Sequence, residues 1–192
     1  MKKQILSAFV AGLFVAAPLS AQAADYIIDT KGGHASINVK IKHLGYSWLT
    51  GRFDTFSGKF SYDEKAPEKS KISVNIDTKS FNSNHAERDK HIRGDDFLDV
   101  SKYPKASFVS TAYQAKDENS GVITGDLTLH GVKKSISFDV EKIGQGNDPW
   151  GGYRVGFVGN THIKLADYGM TYNLGPASAD AYLELNIEGI RQ

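Results

Sequence analysis

The eight residues Lys71-Ile72-Ser73-Val74-Asn75-Ile76-Asp77-Thr78 exchange apolar and polar side chains without a break. A period of two puts each set on its own face of an extended chain, so this stretch is a half-buried strand rather than one stripe of a helix. The rhythm recurs. Ala35, Ile37, Val39 and Ile41 alternate with Ser36, Asn38, Lys40 and Lys42, and Ile136, Phe138 and Val140 with Ser135, Ser137 and Asp139. Tyr153 to Leu165 and Ala179 to Ile187 repeat it, and further strands are predicted across 46–62, 105–115 and 121–129. About eight strands is the number at which an antiparallel sheet closes into a barrel whose interior suits side chains or one ligand. The predicted fold class is therefore all-β, an eight-stranded antiparallel up-and-down barrel.

The connections agree with a meander. His130-Gly131 lies between two strands and suits a tight hairpin with positive φ at both central residues. Asp148-Pro149-Trp150-Gly151-Gly152 reads as another turn. Between 46 and 62 the apolar parity slips from odd (Leu49, Phe53) to even (Phe56, Phe60, Tyr62), which a bend near Asp54-Thr55 would reconcile. One segment, about 79–103, leaves the strand rhythm. Asn84 with Glu87 three residues later resembles a capping box, and Gly94 a stop, so a short helix is predicted over 85–93. Asp95 would cap a further turn carrying Phe97 and Leu98, ending before Tyr103-Pro104.

Lys2 and Lys3, an apolar run from Ile5 to Ala17, and Ala21-Gln22-Ala23 have the form of a cleaved secretory signal peptide over 1–23. A single domain over 24–192 would remain. Losing the leader removes two lysines and no acid, taking the formal charge from +1 to −1. That is no electrostatic footprint for nucleic acid. With no cysteine, the exported chain has neither disulfides nor a lipid-anchored N-terminal Cys, and its apolar core must hold it.

The densest cluster of ionisable residues is Asn84 to Phe97, NHAERDKHIRGDDF. Its two histidines, His85 and His91, would point about 120° apart on a helix and lie some ~20 Å apart on a strand. Neither geometry chelates, so no metal site is expected and a solvated helix face is the better reading. There is no Gly-x-Ser-x-Gly elbow and no thiol nucleophile, and the adjacent Asp95 and Asp96 point in different directions, so no catalytic residue is assigned. What remains is an apolar inventory. It either fills a core or, if the barrel does not fill itself, lines a tube for a hydrophobic guest. Alternation alone does not say which face points inward, so a small outer-membrane barrel stays open. Against it stand unpaired aromatic girdles, a C-terminal Gly189-Ile190-Arg191-Gln192 in place of an aromatic strand, and the lid-like excursion.

Several segments together resemble the YceI family of secreted, lipocalin-like proteins. They are His43-Leu44-Gly45-Tyr46-Ser47-Trp48, Gly51-Arg52-Phe53 with Phe56-Ser57-Gly58, the NHAERDKHIR stretch with Asp96-Phe97-Leu98, and Lys102-Tyr103-Pro104 with Phe108 and Ser110. Gly125 to Val132, Gly144 to Gly152, Asp167-Tyr168-Gly169 and Leu174 to Ser178 continue the likeness over essentially all of the chain after the leader. Gly94 departs from it, where Ser or another small polar residue is expected. The resemblance implies an extended, lipocalin-like barrel, a periplasmic location, and an apolar lumen that holds a long isoprenoid such as a polyprenyl chain or quinone. It brings no established catalysis and no further cofactor. It also implies pairing into a homodimer, as in some relatives, and a functional link to a b-type membrane cytochrome, to which some relatives are joined. An enzyme acting on a prenyl lipid is the alternative. On this reading the lumen is drawn from Val39, Ile41, Phe53, Phe56, Phe60, Val74, Ile76, Phe108, Phe138 and Phe157. Phe97, Leu98 and Trp150 close its mouth, and Arg88, His91 and Arg93 meet a polar head group.

Overall fold

A computed structural model describes residues 23–192; the signal peptide expected over 1–23 lies, but for Ala23, outside the described residues. Eleven strand segments follow one another: β1 (Ala24–Ile28), β2 (Ser36–His43), β3 (Ser47–Phe53), β4 (Phe56–Tyr62), β5 (Lys71–Asp77), β6 (Phe81–Asn82), β7 (Lys105–Ala115), β8 (Ser120–Leu129), β9 (Val132–Asn147), β10 (Tyr153–Lys164) and β11 (Asp180–Arg191). They form a closed eight-stranded antiparallel barrel because two staves are broken. β1 and β2 are halves of the first, end to end along β11, while β3 and β4 are halves of the second. From β4 the ladder runs through β5, β7, β8, β9, β10 and β11 and returns to β1. β1 was not foreseen as a strand of its own, since the loop at 29–35 interrupts the alternation.

The second stave breaks where its apolar parity slips. Asp54 and Thr55 leave the ladder, and their N–H groups are taken by the Ser80 carbonyl and Ser80 Oγ. Asp77 in turn donates to the Thr55 carbonyl, so the bend keeps its backbone groups satisfied. At the predicted hairpin His130 and Gly131 have φ 51° and 74°, the geometry whose twist matches two antiparallel strands.

The excursion between β5 and β7 carries the helix α1 (Ala86–Arg93). Its N-cap is His85, whose Nδ1 accepts from the Arg88 N–H, and not Asn84, which has a positive φ and donates its own N–H to Asn82 Oδ1. The helix is also less solvated than its composition suggests. Asp89 is buried, accepting from both the N–H and the hydroxyl of Ser83, and Arg93 donates through two nitrogens to the Phe81 carbonyl. These bonds dock α1 against β6.

A polar knot pins the break in the first stave. Asp29, 5% exposed, accepts from the Gly32 N–H, His34 Nδ1 (2.8 Å) and Arg154 (2.6 Å). Arg154 on β10 also reaches Glu188 at 2.6 Å and Asp148 at 2.8 Å. Hydrogen bonds from His34 and then Arg154 hold the Asp29 carboxyl at a pKa of about 2, well under its ordinary value. The knot joins the 29–35 loop, the β9–β10 turn and β11 where a plain ladder is missing.

The alternation points its apolar half inward. Along β9, Ile136, Phe138 and Val140 border the interior, while Lys133, Ser135 and Asp139 lie on the opposite face. An outer-membrane barrel requires the reverse, an apolar band outside.

Candidate functional site

The inward side chains do not fill the barrel. A cavity of about 520 Å³ runs along the axis from the end that carries α1, where Phe97 and Met170 border it, to the far end, where Tyr62 and Tyr113 border it. That volume lies within the range of small-molecule sites. Mid-barrel aliphatics such as Ile136, Leu183, Leu185 and Ile187 remain only half-buried although they face the interior.

Glycine keeps the bulkiest rings out of the tube. Phe108 lies over Gly125 so closely that a β-carbon there would stand 2.5 Å from the ring, and Phe60 covers Gly189 closer still. Each ring takes the space of an absent side chain, Phe108 on the adjacent strand and Phe60 across β1, and lies against the wall. A methyl group at 189 would push Phe60, the movable partner, toward the axis. Gly189→Ala is therefore expected to weaken guest retention about tenfold, with a stability cost of ~1–3 kcal/mol. Paired measurements of bound lipid and thermal melting would check it; unchanged lipid content would show that the ring has room elsewhere.

The structure brings nine of the ten expected lumen residues to the cavity: Val39, Ile41, Phe53, Phe60, Val74, Ile76, Phe108, Phe138 and Phe157. Phe56 is not among the residues that border it. It sits directly after the bend, opposite Ile76, and packs against the core cluster. Leu127, Ile163, Met170 and Leu183 border the cavity too and were not named from sequence, although the parity of β8, β10 and β11 marks three of them.

The expected mouth residues divide between two ends. Phe97, Leu98, Arg88 and His91 border the cavity beside α1. His91 Nε2 lies 2.9 Å from Asp96, and its ring meets Phe97 and Tyr172 edge-on at 5.1 and 5.3 Å. Arg88 borders the cavity while donating to Ser83 Oγ and the Ser83 carbonyl at 2.7 Å. Arg93 does not reach the cavity, being spent on Phe81. Trp150 is a correction: it is 76% exposed, under the Arg154 guanidinium, on the turn that precedes β10. α1 packs instead near Tyr172, beyond the other end of that 12-residue strand, a separation of roughly 35–40 Å. The Asp148 carboxylate holds the turn by accepting from the N–H groups of Trp150 and Gly152, so the indole faces water.

The wall beside the cavity includes a largely unpaired strand edge. β3 pairs with β2 along its length, but β6 covers its other edge only at Arg52 and Phe53. Among the described residues no strand pairs with that edge over Ser47–Gly51, and Leu49, Thr50 and Gly51 border the cavity there. Asp29, His34 and Glu188 bring three ligand atoms together elsewhere, but Arg154 already supplies their cation at 2.6 Å.

Comparison with known proteins places this geometry among others of its kind. A family model described as the YceI-like domain matches residues 26–189. A UPF0312 protein of Shewanella sp. strain MR-7 is 53% identical over 192 residues, covering 100% of both chains. The crystal structure of the Campylobacter jejuni YCEI protein superposes with a TM-score of 0.72 at 33% identity, over 80% of this chain and 91% of that one. A domain from Saccharophagus degradans, described as polyisoprenoid binding, matches with a TM-score of 0.64 at 19% identity, over 89% of this chain and 100% of its own.

Proposed function

Because the chain belongs to the family of YceI-like domains, we propose that it is an exported, periplasmic carrier or sequestering protein whose lumen encloses the tail of a long isoprenoid-type lipid. The observation that carries the proposal is the incomplete burial of Ile136, Leu183, Leu185 and Ile187 inside a closed barrel. Protein interiors are close-packed, and a well-packed barrel would bury such side chains fully. Here the missing contact surface is long, narrow and apolar, the shape of a prenyl chain. The fold likeness to the polyisoprenoid-binding domain of Saccharophagus degradans supports the same class of guest.

The energetics favour a tail over a compact ligand. Burying ten methylene equivalents at ~0.8 kcal/mol each returns about 8 kcal/mol. Association and ordering of a flexible chain cost several kcal/mol or more, so tight binding needs most of the tail enclosed. Arg88 and His91, at the end that carries α1, would meet a polar head group. Nothing in the reading requires turnover of the guest.

Native mass spectrometry and solvent extraction of the protein recovered from the periplasm test the proposal together. A co-purifying apolar molecule that leaves on extraction is the expected result. Protein that emerges empty from repeated preparations, with the lumen collapsed onto itself, would sink it.

A further inference from the structure

A lipid carrier must meet the phase in which its guest dissolves, and the surface at the end of the barrel that carries the unpaired β3 edge is unlike the rest. Nine large apolar residues of the described chain are exposed, and five of them, Leu44, Tyr46, Trp48, Tyr172 and Leu174, lie at the end that carries α1. They are gathered by specific bonds. Ser178 Oγ donates to the Lys42 carbonyl and accepts from the Leu44 N–H, tying the β2–β3 tip to the loop that holds Tyr172 and Leu174. His43 and Leu174, one from each segment, border the cavity. Tyr46 is 87% exposed, the highest of the nine, at the very tip.

The two chain segments that carry the collar residues hold no acid. From Ser36 to Phe53 the chain contains Lys40, Lys42 and Arg52 and no acid, and from Tyr168 to Ala179 it contains no charged residue. Lys40 lies 3.9 Å from Glu184 and Arg52 2.6 Å from Asp54, while Asp96 meets His91 and Asp167 meets Lys134; Glu87 and Asp95 are exposed on the excursion that carries α1. Lys42 stays in the collar, its ammonium 5.5 Å from the Trp48 ring. Aromatic rings with an apolar body and a polar tip, beside unopposed lysine, suit the headgroup region of a bilayer bearing negative charge.

We propose that Leu44, Tyr46, Trp48, Tyr172 and Leu174 form a docking collar for an anionic lipid bilayer, setting the unpaired β3 edge beside the cavity against the membrane from which the guest enters or to which it leaves. The inference rests on the lipid-carrier reading. Flat insertion of the collar would let a tail slide between bilayer and lumen without crossing water. Leu44 and Gly45, at φ 51° and 86°, form a compact turn that presents the tip.

The test uses the Trp150→Phe protein, in which Trp48 is the remaining tryptophan. Mixed with vesicles of phosphatidylethanolamine and phosphatidylglycerol, it should float with the lipid, and Trp48 emission should shift to the blue. Vesicles of phosphatidylcholine alone should bind about tenfold less. Leu44→Asp with Tyr46→Asp should remove vesicle binding while leaving lipid content from detergent-phase loading unchanged. Aspartate is tolerated at the positive φ of position 44. Absence of flotation and of the shift in the parent overturns the collar and leaves the lumen proposal to its own extraction experiment. Loss of detergent-phase loading in the double variant also overturns it, by making the collar part of the guest site. So does a vesicle-independent dimer that the same substitutions dissolve, because a second copy would then be the occupant.

Discussion

Leu185→Trp is expected to empty the lumen, lowering guest affinity at least about a hundredfold, or ~2.7 kcal/mol. Leu185 projects from the middle of β11 between Ile37 and Gly159, borders the cavity, and is only half-buried. An indole at that position extends into the open lumen, since Phe138 and Val140 already cover Gly159 on β10. Filling a void restores contacts that the hollow state lacks, so the variant should melt within a few degrees of the guest-free parent or above it. That pairing separates lost binding from lost fold. Lipid extraction and thermal denaturation on the same preparation measure both. A variant that keeps the parent's lipid content would show that the guest does not occupy the mid-barrel.

A second large effect is expected at the polar knot. Asp29→Asn keeps the shape of the side chain but removes the charge that His34 and Arg154 share, and it can turn an amide N–H toward their donors. The carboxyl's folded pKa, about 2, lies below its unfolded value. The stabilisation is therefore complete above about pH 4 and is lost as the pH falls toward 2. After allowance for solvent screening it is worth about 1–2 kcal/mol, or roughly 3–6 °C in Tm for a chain of this size. The gap between parent and variant should hold from neutral pH down to about 4 and close below it. A gap that stayed constant down to pH 2 would assign the effect to packing instead of charge. Loss of this knot should also loosen the 29–35 loop, since Asp29 accepts the Gly32 N–H.

Much of the barrel was legible because half-buried strands write their geometry directly. Ile72, Val74 and Ile76 alternate because one face of β5 meets the cavity, and the parity slip between Phe53 and Phe56 marked the bend that the Ser80 groups satisfy. The knot was not legible. Asp29 and Arg154 are 125 residues apart, and no local pattern makes one the partner of the other. Phe56 shares the parity of Phe60, yet position along the stave, which parity does not encode, takes it off the cavity. Trp150 and Phe97 both belong to connections, and connections at opposite ends of a meander look alike in sequence. Asp89 sits in a charged run that invited a solvated reading, but its carboxylate is committed to Ser83. The hollow itself was a conditional expectation, because alternation assigns faces and does not measure how much volume the inward side chains leave.

The pairing of β1 with both β4 and the end of β11 has a kinetic consequence. From β4 to β11 each strand follows its partner in chain order, but the first stave meets β11 across nearly the whole described chain, Tyr26 opposite Arg191 and Ile41 opposite Ala181. Contacts of such long range form slowly, because loop-closure entropy must be met before they repay it. The lumen comes into being when this last seam shuts. Until then its wall is an open sheet with an apolar face, so the same lipid that the finished barrel would hold can cover that face while the ring is still a ribbon.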